Sequence, residues 1–297
     1  MVMHELKGES LSISVASVGA ELKSLKKNEN GKEYMWSGEP EFWPRTSPVL
    51  FPFVGKLKGQ QYTYDGKKYN PPVHGFARDT EFLLSEKTEN SLHFIIKDTS
   101  ETKKVYPFDF ELEIIYKLEG NSLKVTYVVK NTGKEELFFS LGAHPGFVCP
   151  LNVEEKRSDC FIGFAKNETP LDKIVSRFVD MNTGLVTNEY NDYALKAGNL
   201  PIADDLFAND ALVIEKNQVN KVSLLGADRI PYVTLEMEAP VYGIWSCVKP
   251  GAPFICIEPW FGRCDALNFE GGLEDREYQN SLLAGEVFRT QYTITIA

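Results

Sequence analysis

Hydrophobic and polar residues alternate along much of this chain with a period of two. In SLSISVAS, Leu11, Ile13 and Val15 share one face while serines take the other, the pattern of a half-buried strand whose side chains point alternately to core and solvent. The stretch DFELEIIYKLEGNSLKVTYVVKNTG holds two such runs, Phe110, Leu112, Ile114, Tyr116 and Leu118, then Leu123, Val125, Tyr127 and Val129 after EGNS. Two long alternating strands around a Gly-Asn turn predict an antiparallel hairpin ending at Asn131-Thr132-Gly133. A shorter hairpin is expected within GQQYTYDGKKY.

The same texture continues through SLHFIIK, ELFFSLGA, DALVIEK, KVSLLG, YVTLEM, YGIWSCV, FICIEPW and FRTQYTITI, whereas runs of helical period are short. The expectation is an all-β protein, an antiparallel sandwich or barrel with few short helices, and not a parallel α/β fold. The segment from about Pro150 to Asp204 reads as a loop-rich, irregular insertion. No low-complexity linker, charge block or fixed repeat divides the chain, so residues 1–297 read as a single domain.

Composition narrows the partners. Of 297 residues, 43% are hydrophobic and 25% charged, enough to bury a sizeable core and unlike a disordered chain. A formal net charge of −10 opposes a nucleic-acid partner, which needs clustered Lys and Arg, and favours a neutral small molecule. No stretch approaches the roughly 18 apolar residues of a membrane helix. The opening MVMHELKGESLS lacks the apolar region of a secretory signal, so a cytoplasmic, non-membrane protein is expected. The five cysteines (Cys149, Cys160, Cys247, Cys256 and Cys264) form no C-x-x-C pair, and several lie in apolar runs. They read as buried free thiols, with no disulfide frame and no metal site.

Candidate chemistry centres on three residues. Of the four histidines, His4 lies at the terminus, expected to fray, and His93 occupies an ordinary strand position. His74 in PPVHGFARD and His144 in LGAHPGF stand where strands give way to Gly- and Pro-marked loops, the scaffold edges where binding groups gather. Glu258 stands in the apolar run FICIEPWFG, where an ionised carboxylate is costly to bury. It serves either as half of a buried ion pair, with Arg78 or Arg263, or as a general base whose pKa burial raises toward the working pH. The chain has no G-x-S-x-G elbow, P-loop, G-x-G-x-x-G turn or H-E-x-x-H helix, which leaves proton transfer without a cofactor as the chemistry.

Three ordered motifs, RTSPVLFPFVGKLKGQQYTYDGKKYNPPVHGFARDTEF, SLGAHPGF and FICIEPWFGRCDALN, together resemble the aldose 1-epimerase (galactose mutarotase) family, and within it the LacX-like bacterial branch. The likeness runs over nearly the whole chain. It implies a large antiparallel β-sandwich whose open face holds a monosaccharide. It also implies that Glu258 takes the proton of the anomeric hydroxyl, that His144 protonates the ring oxygen, and that His74 hydrogen-bonds the sugar. Lys56 stands where the LacX-like pattern usually has arginine, and loses the planar fork that grips two oxygens. Arg45, Arg78 and Trp260 are further candidates for sugar contact, as is Asp210 in LFANDALVIEK, with Asp205 an equal rival. Trp43 and Phe147 lie near the motifs and suit either sugar stacking or core, while Trp245 reads as sheet core.

Two other readings share this fold. A hexose 6-phosphate mutarotase would gather Lys56, Lys58, Arg45 and Arg78 around a phosphate, and a sugar-binding protein without catalysis would keep the site and lose the chemistry. A glycoside hydrolase fits less well, because it normally sets two carboxylates across the scissile bond. The preferred aldose, its phosphorylation and the oligomeric state are not written in the sequence.

Overall fold

The structure, a computed structural model, describes residues 1–249 and 251–297. Two large antiparallel sheets carry it. One has ten strands, running from Thr169–Pro170 through Phe161–Lys166, Lys221–Leu225, Pro231–Glu236, Val287–Ile296, Ser122–Asn131, Phe110–Glu119 and Ser91–Lys97 to Leu83–Lys87, with Asn199–Pro201 beside Phe161–Lys166. The other has eight, in the order Leu185–Ala194, Lys173–Asp180, Leu212–Ile214, Val241–Trp245, Phe254–Phe261, Leu141–Ala143 and Val49–Leu50, with Gly146–Val148 also pairing Phe254–Phe261. Among the described residues the only helices are five three-residue 3₁₀ turns, so the all-β, helix-poor expectation is met.

The predicted long hairpin pairs Leu123 with Leu118, Val125 with Tyr116 and Tyr127 with Ile114. Those side chains, with Tyr292 and Ile294, form one wall of the core; Ile214, Tyr242, Ile244, Ile255 and Ile257 form the facing wall. The inward-facing residues of the central strands are thereby removed from water, the main favourable term in folding. The predicted short hairpin is the Tyr62–Tyr64 and Lys67–Tyr69 pair, turning through Asp65 and Gly66, both at positive φ as a tight hairpin turn requires.

Two expectations need correction. The segment 150–204 is no loop insertion: it contributes strands Phe161–Lys166, Lys173–Asp180 and Leu185–Ala194 to the two sheets. Beyond the Val186–Ala266 bridge at its start, Leu185–Ala194 pairs only with Lys173–Asp180 and is largely exposed, so edge residues such as Asn188, Asn191 and Asp192 break the alternation that marks a strand in sequence. His4 does not fray; it sits in strand Met3–Lys7 with its ring edge-on to Phe94. His93 is held by Ser91 and Glu113. All five cysteines are free, and all but Cys247 are buried. No helix among the described residues is long and apolar enough to cross a membrane.

One turn fixes the wall on which His74 stands. Gly75 N–H donates to Pro72 O at 2.9 Å, and Ala77 N–H to Phe51 O at 3.1 Å. Gly75 has φ +72°, and a Cβ there would lie 2.1 Å from Phe51 O. Gly75→Ala is therefore expected to lower the urea-unfolding free energy by roughly 1–3 kcal/mol; an unchanged midpoint would contradict this account of the turn.

Candidate active site

Strand Phe254–Phe261 is apolar at every position but Glu258 because both of its faces are covered. Ile255 and Ile257 enter the sandwich core, whereas Phe254 and Trp260 join apolar clusters on the opposite, open face. Glu258 shares the parity of Trp260 and so projects to the open face. The neighbouring strand brings His144 to it. Gly142 pairs with Trp260 and Gly146 with Cys256, so the register sets His144 opposite Glu258 where the ladder is interrupted at Pro145. Ile257 N–H donates to Pro145 O at 3.2 Å and pins the break.

A cavity of about 310 Å³ opens over this pair, within the size range of small-molecule sites. His74, His144, Glu258, Asp210 and Lys56 line it, with Trp43, Trp245 and Trp260 as aromatic walls and Val54, Val179 and Val213 as apolar floor. His144 Nε2 lies 3.2 Å from Glu258 Oε2. The approach is not aligned for a hydrogen bond, and both Glu258 Oε2 and His144 Nδ1 are left without a hydrogen-bond partner. Two buried, unpaired polar atoms on residues that line one cavity are costly unless a ligand satisfies them.

Burial sets the protonation. Glu258 is 1% exposed; desolvation, and secondarily the charge of Asp210, hold its carboxyl well above the ordinary range. Desolvation, then neighbouring His74, holds the His144 imidazole well below its ordinary value. His144 stacks on Trp43 with centroids 4.6 Å apart and meets Trp245 edge-on at 5.7 Å. Trp245 is thus half-buried in the cavity wall, in contrast to its expected place in the core. Phe147, by contrast, is fully buried in the sandwich core.

His74 stands at φ +64°, a left-handed conformation. A reciprocal pair holds it there: His74 N–H donates to Gly55 O at 3.0 Å, and Gly55 N–H donates to His74 Nδ1 at 3.1 Å. Because Nδ1 accepts, the proton of the neutral ring is on Nε2, which is a donor. Desolvation, with the positive charges of Arg78, Arg45 and Lys56, lowers its pKa to about 3.

The remaining candidates separate. Asp210 lines the cavity, accepts from Ala211 N–H at 2.9 Å, and has its carboxyl raised chiefly by desolvation. Asp205 lines a different cavity, of about 420 Å³. Lys56 reaches over Gly184, where a Cβ would meet its Cδ at 2.8 Å, and among the described residues no carboxylate lies within 4.0 Å of its ammonium. Arg45 and Arg78 do not line the cavity. Arg45 Nη2 pairs with Asp79 Oδ1 at 2.8 Å, and Arg78 donates to Val73 O at 2.8 Å and approaches Asp79 Oδ2 at 3.6 Å. Lys58 pairs with Glu270 at 2.6 Å. Arg263 is engaged with Glu215 and Glu277, so neither arginine neutralises Glu258. Trp260 fits only because Gly243 faces it: a Cβ there would lie 2.4 Å from the indole.

Sequence reasoning missed the Trp43 stack on His144 and the Gly184 seat under Lys56. Both depend on loops meeting across the sheet and leave no local signal.

Solved structures share this architecture. A galactose mutarotase related enzyme from Lactobacillus acidophilus matches with TM-score 0.91 and 33% identity over 100% of this chain and 97% of its own. A galactose mutarotase-like protein from Lactobacillus casei matches with TM-score 0.91 and 28% identity over 100% of both. The fold is therefore that of the galactose mutarotase-like β-sandwiches. The sequence profile of the aldose 1-epimerase family matches residues 3–180, and the plasmid-borne protein LacX of Lactococcus lactis is 31% identical over 98% of each chain. The chain belongs to the aldose 1-epimerase family, in its LacX-like branch.

The lowered His74 pKa carries a stability consequence. An unfolded histidine protonates below about 6.5, while the folded ring resists until about 3, so folding stability falls as pH drops through that window. His74→Asn is expected to lose less of its unfolding free energy than wild type between pH 7 and pH 4, measured by urea titration. Equal losses would show that His74 is not the group resisting protonation.

Proposed function

We propose that this protein is an aldose 1-epimerase, interconverting the α and β anomers of an unphosphorylated hexose by ring opening and reclosure at His144 and Glu258. The observation that carries the reading is the buried pair itself: an acid and a base 3.2 Å apart, each with an unsatisfied atom, in a cavity sized for one sugar.

In the working form Glu258 is a carboxylate and His144 an imidazolium. Glu258 takes the proton of the anomeric hydroxyl as His144 gives its proton to the ring oxygen. The bond between the anomeric carbon and the ring oxygen breaks to give the open-chain aldehyde, leaving Glu258 protonated and His144 neutral. Rotation about the first carbon–carbon bond presents the other face, and the same transfers run backward. Ring opening thus converts a charged pair into a neutral one, the distribution that desolvation favours. Sugar hydroxyls supply the partners that Glu258 Oε2 and His144 Nδ1 lack, which steadies the charged form once substrate is bound.

His74 Nε2–H would donate to a sugar oxygen and Lys56 and Asp210 to or from hydroxyls, with the tryptophan faces against the apolar side of the ring. A phosphorylated sugar is less well served. Lys56 is the only cationic side chain lining the cavity among the described residues, since Arg45 and Arg78 are committed to Asp79 and backbone.

The test is polarimetry of freshly dissolved α-D-glucose and α-D-galactose in a buffer that does not itself speed mutarotation. Wild type should accelerate both, and Glu258→Gln should lose about 10²–10⁴-fold in kcat while still binding sugar. Acceleration of hexose 6-phosphates alone would overturn the unphosphorylated substrate, and full turnover in Glu258→Gln would overturn the mechanism. Activity should also be bell-shaped in pH. The lowered His144 carries the acid limb below the ordinary histidine range, and the raised Glu258 carries the basic limb above the ordinary carboxylate range.

A further inference from the structure

Cys256 precedes Glu258 by two positions on one strand and therefore shares its face. Its sulfur, an imidazole nitrogen of His144 and a carboxylate oxygen of Glu258 all lie within 4.8 Å of one another, and all three side chains are buried. On these residues His144 Nδ1 and Glu258 Oε2 have no hydrogen-bond partner, His144 Nε2 lies 3.2 Å from Glu258 Oε2, and the thiol is free. Among the described residues no arginine or lysine lies within 4.0 Å of the carboxylate, and Arg263 and Arg78 are engaged elsewhere.

We propose that this triangle binds one borderline-soft divalent cation, Zn²⁺ above all, and that the bound ion blocks the sugar site as an inhibitor. One nitrogen, one sulfur and one carboxylate oxygen is a donor set that Zn²⁺ accepts at about 2.0–2.3 Å. Tetrahedral coordination at those lengths separates donors by roughly 3.3–3.8 Å; His144 and Glu258 already stand 3.2 Å apart, so the Cys256 sulfur closes by at most about 1 Å toward them. The fourth position faces the cavity, through His144 and Glu258, which line it. Mg²⁺ and Ca²⁺, which take oxygen donors, do not suit a sulfur and an imidazole.

Binding needs no electron transfer. Burial, and secondarily the charge of Glu258, keep the Cys256 proton on the thiol. The entering cation displaces that proton, and any proton held on Glu258, to solvent, so apparent affinity rises with pH. The ion then occupies the lone pairs that would move the sugar's protons. Inhibition rests on the mutarotase reading; binding does not.

The experiment titrates ZnCl₂ into the full chain by calorimetry, with CoCl₂ as an absorbing substitute, and follows sugar turnover in parallel. The expected result is one equivalent bound, a thiolate-to-cobalt charge-transfer band, and loss of turnover that a chelator reverses. Cys256→Ser and Cys256→Ala should keep turnover and a wild-type melting profile, lose the band, and need at least about tenfold more Zn²⁺ for half-inhibition. Absence of saturable binding, a cobalt spectrum without the thiolate band, or inhibition unchanged in both Cys256 variants would overturn the site. One-equivalent binding with the thiolate band in a protein that accelerates no sugar would uphold the site and count against the mutarotase reading alone.

Discussion

The structure turns on a carboxylic side chain and an imidazole held opposite each other on the open face of a sheet, with no arginine or lysine among the described residues paired to the carboxylate. Burying an unpaired ionisable group opposes folding, and this chain places two where alternating isoleucines and a fully packed core already fix the strand. The sandwich supplies enough buried apolar surface to carry that burden. Its rigidity is what keeps the two groups 3.2 Å apart while a cavity remains over them.

Around the pair, several unrelated elements limit its freedom. Trp43 and Trp245 confine the His144 ring from two directions, and the glycines opposite Trp260 let its indole lie flat against the sheet. A second polar network holds the neighbouring loops: Arg276 Nε donates to Asp265 Oδ1 at 2.7 Å, and Asp265 Oδ2 accepts from Lys58 N–H at 2.8 Å, tying the loop beyond Lys56 to the one that follows Trp260. Arg45, Arg78 and Arg263 are paired before they reach the site, and Lys56 lines the cavity without pairing to Glu258. The result is a pair whose protonation answers to desolvation first and to the neighbouring Asp210 and His74 second.

Much of this was legible in the sequence, and the rest was not for identifiable reasons. Period-two alternation located the long hairpin because one face of each strand is apolar over many residues, and strand Phe254–Phe261 showed as an apolar run because both of its faces are covered. The irregular appearance of 150–204 came from polar edge positions, whose exposure follows from sheet order and not from local composition. The motifs around His74, His144 and Glu258 pointed to three side chains that the cavity brings together. The same proximity in sequence placed Arg45 and Arg78 with them, and Asp79, an exposed residue of the same motif, draws both away. Asp205 and Asp210 were equal in sequence; the positive φ of Asp210 and its bond to Ala211 go with its place in the cavity wall. Cys256 looked like one more buried thiol until the strand parity set it beside Glu258.

The central claim is that the buried pair carries one shared proton across the neutral range. It can be read without any substrate, by infrared difference spectroscopy of the Glu258 carboxyl stretch, with nitrogen-15 shifts of His144, as pH is varied. The account predicts a protonated carboxyl beside a neutral imidazole, or the swapped carboxylate and imidazolium, with the total unchanged through the neutral range. An ordinary carboxylate titrating near its unperturbed value of about 4.3, beside a histidine titrating independently near 6.5, would contradict it.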